Sequence, residues 1–139
     1  MDTLYVLGTG NAMVTQCFNT CFVLRNENGA LLVDCGGGNG ILRQIKAAGL
    51  DISSIHSIFL THEHCDHLTG IVWVVRAIAT AMNQGNYIGN LDIYCHAGLE
   101  PMVRTMCGFM LQKKMTAHFD HRILFHIVTD RQKEQILGR

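Results

Sequence analysis

The segment Thr61-His62-Glu63-His64-Cys65-Asp66-His67 places three imidazoles and the Asp66 carboxylate within six residues, directly after the apolar run Ile58-Phe59-Leu60. In an extended segment the side chains at i and i+2 point the same way, so His62 and His64 can hold one cation between them. Asp66 and His67, beyond a bend, can address a second. Imidazole with carboxylate suits zinc first, with manganese or iron as alternatives. A surface cluster of solvated polar residues explains neither the i, i+2 spacing nor the position right behind an apolar strand. A structural zinc site usually closes with cysteines in paired spacing, and the six cysteines at 17, 21, 35, 65, 95 and 107 contain no C-x-x-C pair. Cys65, in an extended run, points away from His64 and Asp66, and its small size explains its presence. His56, His96, His118, His121 and His126 stand apart and read as satisfied core or surface histidines.

The surrounding elements must deliver this cluster at a strand end. Leu4–Leu7 reads as a strand closed by the turn-rich Gly8-Thr9-Gly10-Asn11. Cys21–Leu24 and Leu31–Val33 flank Asn26-Glu27-Asn28-Gly29, a hairpin in which Gly29 supplies positive φ. The glycine-rich stretch Asp34–Gly40 lets the chain pass close to other backbone. Ile41, Leu42, Ile45 and Ala48 recur at helical spacing, with Gly49 suited to the C-terminal cap. Ile55–Leu60 is the strand that carries the histidines at its C-terminal end. A buried helix is predicted from about Leu68 to Met82, then a strand over Leu91–Cys95, a helix through Leu99, Met102, Val103, Met106 and Met110, a strand over Ile123–Val128, and a polar tail from Thr129 to Arg139. The order is a mixed α/β (α+β) layout with functional loops at strand ends.

Composition narrows the classes. With 139 residues, 48% hydrophobic and 16% charged, the chain can bury a core and is not disordered. Eleven basic residues balance eleven acidic ones, and no polybasic stretch advertises nucleic acid or an anionic membrane. The apolar run Leu68–Met82 is interrupted by Arg76 and is shorter than the ~20 residues a membrane helix needs. Cysteines without paired spacing and an N-terminus lacking a cationic, apolar leader predict a reducing, cytoplasmic setting.

His62-x-His64-x-Asp66-His67 resembles the H-x-H-x-D-H signature of the metallo-β-lactamase-fold hydrolases. Leu7-Gly8-Thr9-Gly10-Asn11-Ala12, Asn19-Thr20, Leu32-Val33-Asp34-Cys35-Gly36 and Gly49-Leu50-Asp51-Ile52 are similar in order and spacing to the N-terminal half of the ribonuclease Z-like branch. The resemblance runs from residue 3 to about 100. It implies that His62 and His64 bind one metal and Asp66 and His67 the other, with Asp66 also orienting the attacking water. Asp34 would support the metal loop from behind, as carboxylates that fix ligand orientation do. The activity implied is hydrolysis by metal-activated water, of a small-molecule or nucleic-acid phosphodiester. The chain departs from the branch at Gly37-Gly38-Asn39-Gly40 and at Cys65, and it shows no Gly/Pro-rich basic insertion to serve as a tRNA-gripping arm.

The resemblance also implies an αβ/βα sandwich of two similar halves, of which this chain is the first. The later histidine, bridging aspartate and final histidine of the family have no counterpart around His118, His121 or His126. The chain is therefore expected to be the N-terminal part of a longer hydrolase, spanning residues 1–139, with two protein ligands per ion and little activity alone. The inner face of an unfinished sandwich would be apolar, which predicts homo-oligomers. The alternative is a non-catalytic half-domain that self-associates.

Overall fold

The computed structural model describes residues 1–138. Strands β1 (Thr3–Gly8), β2 (Cys21–Asn26) and β3 (Gly29–Val33) come first. Helix α1 (Gly40–Ala47) and a 3-10 turn (Ile52–Ser54) lead to β4 (Ile55–Phe59). The rest alternates: α2 (Cys65–Leu68), α3 (Ile71–Asn83), β5 (Leu91–Cys95), α4 (Leu99–Met110), α5 (Lys113–Thr116) and β6 (Ile123–Ile127). One six-stranded sheet runs in sequence order, antiparallel across β1, β2 and β3 and parallel from β3 to β6.

The change of direction follows from the connections. A two-residue turn joins β2 to β3, with Gly29 at φ 144° and Asn26 paired to Gly29, and such a turn can only reverse the chain. Each later strand returns through a helix, which makes its neighbour parallel. Residues that alternate along the strands (Val23, Leu32, Ile58, Ile93) are fully buried together with Ile41 and Ile45 of α1, Val74 and Ile78 of α3, and Val103 of α4. Each such side chain contributes on the order of 1.5–3 kcal/mol.

The predicted strands, the hairpin and the helices at α1 and α4 are borne out within a residue or two. The expected helix from Leu68 is corrected. Cys65–Leu68 forms its own short turn, and α3 starts only at Ile71, after Thr69-Gly70. The break lies where Gly70 meets other backbone: its N–H donates to the Gly36 carbonyl at 2.8 Å, and a Cβ there would lie 1.9 Å from the Cys35 oxygen. Cys65 is accordingly not in an extended run; it opens the α2 turn and is exposed. The short α5, with only Met115 buried, carries too little periodicity to be anticipated.

Cys17 and Cys65 are exposed and the other four cysteines are buried. Burial, then the nearby Asp34 carboxylate, pushes the Cys21 thiol up to about 12; burial raises Cys107 to about 12. Brief treatment with iodoacetamide at neutral pH is expected to label two of the six cysteines in the folded chain and all of them in urea. Mass spectrometry that found Cys21 or Cys107 modified without denaturant would contradict this packing. Among the described residues no helix is long and apolar enough to cross a membrane.

Candidate metal centre

The site is assembled at the C-terminal ends of β3 and β4, which lie side by side in parallel. Asp34 follows β3 and sits at φ 59°, a left-handed conformation that Asp tolerates better than most residues. It is held there by its own N–H, which donates to the Phe59 carbonyl at 2.9 Å, and by the next one, Cys35 N–H to the His67 carbonyl at 2.9 Å. The second bond ties the end of β3 to the α2 turn that carries Asp66 and His67.

Asp34 and Asp66 are the two buried charged or polar residues among those described, at 4% and 9% exposure. A buried carboxylate is costly unless its oxygens are satisfied. Asp34 Oδ1 accepts from the Thr61 N–H at 2.8 Å, and Oδ2 accepts from the Thr61 hydroxyl at 2.7 Å. Oδ2 also lies 2.7 Å from His67 Nδ1.

These bonds decide proton positions. An ionised carboxylate only accepts, so His67 carries its proton on Nδ1 and leaves the Nε2 lone pair free. The Thr61 hydroxyl spends its own proton on Asp34, so at 2.8 Å from His62 Nδ1 it accepts from that nitrogen. His62 too is left with a free Nε2. One carboxylate thereby sets the same tautomer in two imidazoles, directly for His67 and through Thr61 for His62.

The rings lie close together. The His62 ring centroid lies 4.7 Å from that of His64 and 4.2 Å from that of His67. His67 Nε2 is 3.4 Å from Asp66 Oδ2. Two ligands about 2.0–2.1 Å from one zinc at a tetrahedral angle lie about 3.4 Å apart, so this lone pair and this carboxylate have the spacing of two corners of a coordination shell. Asp34, His62 and His67 each offer a ligand atom within 4.8 Å of the others. The donor set, two imidazoles of fixed tautomer with buried carboxylates, fits a divalent cation.

All five residues singled out from the sequence (Asp34, His62, His64, Asp66 and His67) are thus brought to one place. Of the histidines read as structural, His118 Nε2 meets Asn83 Oδ1 at 2.7 Å, His126 Nε2 meets Asp92 Oδ1 at 2.7 Å, and His56 Nδ1 meets the Asn90 carbonyl at 3.1 Å. His96, at the end of β5, reaches the rim of the cluster, its Nε2 4.0 Å from Glu63 Oε2. The glycine-rich loops also close on the site: Gly37 N–H donates to Asn19 Oδ1 at 3.0 Å, and the Asn19 amide donates to the Asn11 carbonyl at 3.0 Å.

Sequence reasoning gave no role to Thr61. The only signal was a hydroxyl residue between the strand and the first histidine. Thr61→Val keeps shape but removes both hydroxyl bonds. It is expected to lower zinc affinity by about tenfold, the low end for losing a group that orients a ligand, as read by competition with a chromogenic chelator. Unchanged affinity would mean that His62 is oriented by something else.

The chain has counterparts among known proteins. Over 133 residues the chain is 28% identical to ribonuclease Z of Bacteroides fragilis, covering 92% of this chain and 42% of that protein. Among solved structures, the short form of human tRNase Z is 28% identical with a TM-score of 0.69, covering 91% of this chain and 44% of that one. The metallo-β-lactamase fold protein YhfI from Bacillus subtilis superposes with a TM-score of 0.73 at 18% identity, over 97% of this chain and 50% of that one; that likeness speaks for the fold alone. The chain spans about half the length of the proteins it matches, or less. It has the metallo-β-lactamase fold, as the ribonuclease Z-like resemblance implied, and, matched from residue 2 to residue 138, it belongs to the family described as Anti-Pycsar protein Apyc1.

Proposed function

We propose that this chain is the metal-binding part of a metal-dependent phosphodiester hydrolase, its residues 1–139 forming the N-terminal part of the hydrolase domain. The observation that carries the reading is the Asp34 carboxylate, which fixes the tautomers of His62 and His67, with the His62 ring next to that of His64 and His67 Nε2 beside Asp66. His62 and His64 hold one cation, Asp66 and His67 the other, and Asp34 positions them without ligating. Zinc suits the donor set best, with manganese or iron able to replace it. When bound, such cations supply Lewis acidity and a water acidified towards neutrality. Asp66, with one oxygen beside His67, would accept a hydrogen bond from the attacking water and orient it.

The phosphodiester assignment draws on the relatives named ribonuclease Z and tRNase Z, whose names denote RNA cleavage. It applies here to the bond class, in a small molecule or a nucleic acid. The setting is the reducing cytoplasm, in keeping with six free cysteines, two of them exposed.

A catalytic ion takes about three protein ligands and keeps one position open. The described residues give each ion two, so this chain alone holds metal weakly and turns over little. The test is zinc titration of the purified chain by calorimetry, with bis-p-nitrophenyl phosphate hydrolysis measured beside it and His64→Ala as control. Weak binding, lost with His64, is expected. Two tightly held ions per chain would refute the half-complete site, and binding indifferent to His64→Ala would refute the site itself.

A further inference from the structure

Helix α3 turns Ile71, Val74, Val75, Ile78 and Met82 into the core. Trp73, Arg76, Ala77 and Thr80 are left on its outer side, at the helical spacing i, i+3, i+4 and i+7. In an αβ/βα sandwich the helices are the outer layers, so this side looks away from the face on which the remaining half of the domain packs. The end of α4 lies against it. Between the two helices is a cleft of about 250 Å³ lined by Val72, Trp73, Arg76, Met110 and Leu111.

The rim of this cleft is apolar and bare. Met110 is 64% exposed and Phe109, the residue before it, 87%. Gly108 precedes them in the last turn of α4, also exposed, with nothing within 4 Å of the position a Cβ would take. Glycine weakens a helix relative to alanine, and no atom of this chain requires it there. An open stretch of backbone beside exposed apolar side chains lets another chain approach closely. Methionine adapts its shape to a partner, and a large aromatic anchors one.

The charge here is one-sided. Eleven acidic residues make the whole chain neutral, yet none of them lies in residues 67–91 or 101–119, the stretches that form α3, α5 and most of α4. Arg76, Lys113 and Lys114 are exposed, and among the described residues they form no ion pair; the guanidinium of Arg76 donates only to the Met115 sulfur, at 4.0 Å. Arg104, further back on α4, is spent on Glu100 and Asp120. Lys113 and Lys114 follow directly on the cleft residue Leu111 and Gln112. Unpaired cations around an apolar cleft match an apolar surface edged with carboxylates. They are too few for a lipid headgroup layer, which takes clusters of about 4–8 lysines and arginines, and a flat bilayer leaves a cleft unfilled. Nor do they form the basic stripe that follows a nucleic-acid backbone.

We propose that the outer side of α3 and the end of α4 dock an acidic amphipathic helix of a partner protein. Its apolar side chains enter the cleft beside Trp73, and its carboxylates face Arg76, Lys113 and Lys114, the helix-in-groove mode of recognition. The inference does not use the metal site.

Trp73 is the chain's single tryptophan, so its emission reports on the cleft directly. The chain, in EDTA, is titrated with a synthetic peptide of about 15 residues, long enough to form a helix, with leucines at i, i+3, i+4 and i+7 and glutamates elsewhere. A saturable change in Trp73 emission is expected, weakening as salt is raised. Lys113→Glu with Lys114→Glu should raise the dissociation constant about tenfold or more, and Phe109→Ser by a similar factor. Arg25→Glu with Lys133→Glu, the same change of charge at exposed positions on β2 and after β6, is expected to leave it unchanged. The proposal is overturned by the absence of a saturable change, or by an equal response to a peptide with lysines in place of the glutamates. Equal weakening by the two charge-reversed pairs also overturns it, since net charge alone would then explain the binding. A response to phosphatidylserine vesicles with none to the peptide would overturn it too, and make the patch a membrane contact.

Discussion

Asp34→Asn is expected to weaken zinc binding by about 10- to 100-fold, the range typical of losing a carboxylate that orients a metal-ligating histidine, while leaving the fold in place. The substitution is nearly isosteric, and asparagine accepts the left-handed backbone at φ 59°, so the conformation after β3 can persist. The hydrogen-bond arithmetic cannot. Asp34 takes three donors, the Thr61 N–H, the Thr61 hydroxyl and His67 Nδ1–H, and a neutral amide has one accepting oxygen and an NH₂ that must itself donate. Whichever way the amide turns, His67 or Thr61 loses its acceptor. If His67 does, its proton is free to move to Nε2, the atom that faces Asp66. With the NH₂ in the Oδ2 position the Thr61 hydroxyl loses its acceptor together with His67, turns and releases His62; in the Oδ1 position the NH₂ opposes the Thr61 N–H instead. Chelator competition measures the loss, and a urea titration of the metal-free chain separates it from unfolding. Zinc adds to stability only in proportion to its affinity, so added zinc should raise the unfolding midpoint of the unaltered chain more than that of Asp34→Asn. Equal affinity in the two proteins would show that the carboxylate neither sets the tautomers nor organises the centre.

The parts of this centre that were legible in the sequence are those governed by local periodicity. The i, i+2 relation of His62 and His64 survives because the chain stays extended to His64, at φ −60° and ψ 142°. The hairpin at Asn26–Gly29 was legible because a short glycine-containing turn between apolar runs allows little else. Thr61 was not, since its role depends on Asp34 arriving from the neighbouring strand 27 positions away. The course of the chain after β6 was hidden for a similar reason: residues 129–139 read as a polar tail, and nothing local marks Ile136 as lining clefts shared with Phe59 and with Leu31. The membership of the chain in the family described as Anti-Pycsar protein Apyc1 was equally beyond the short motifs, which point to the wider fold and to its ribonuclease Z-like branch; it emerges from a match over residues 2–138. The helix boundary at Gly70 failed most instructively, because the apolar pattern from Leu68 onward continues through the break without interruption.

That glycine carries the second large expectation: Gly70→Ala should destabilise the chain by about 3 kcal/mol, against the sign that helix propensity gives. Gly70 has ordinary right-handed angles, φ −60° and ψ −19°, where alanine is intrinsically favoured by up to about 1 kcal/mol. The added methyl, however, would lie 1.9 Å from the Cys35 oxygen, 2.7 Å from its carbonyl carbon and 2.9 Å from the Gly36 oxygen. All three are backbone atoms, so no side-chain rotation relieves the clash. Either α3 retreats from the loop after β3 or that loop moves, and the Gly70 N–H bond to Gly36 at 2.8 Å is strained in both cases. Overpacking of this kind costs about 1–3 kcal/mol, and a weakened buried backbone bond adds on the order of 1 kcal/mol. Gly49→Ala is the natural comparison. Gly49 sits at φ 74° with nothing within 4 Å of its would-be Cβ, so its penalty is the left-handed backbone alone, about 1–2 kcal/mol. Urea unfolding midpoints should therefore rank unaltered, then Gly49→Ala, then Gly70→Ala. Because the displaced loop carries Asp34 and is joined to His67 through Cys35 N–H, only Gly70→Ala should also lose zinc affinity. A Gly70→Ala chain as stable as the unaltered one would mean that the loop after β3 and the start of α3 are not in the close contact on which the alignment of Asp34 with His67 depends.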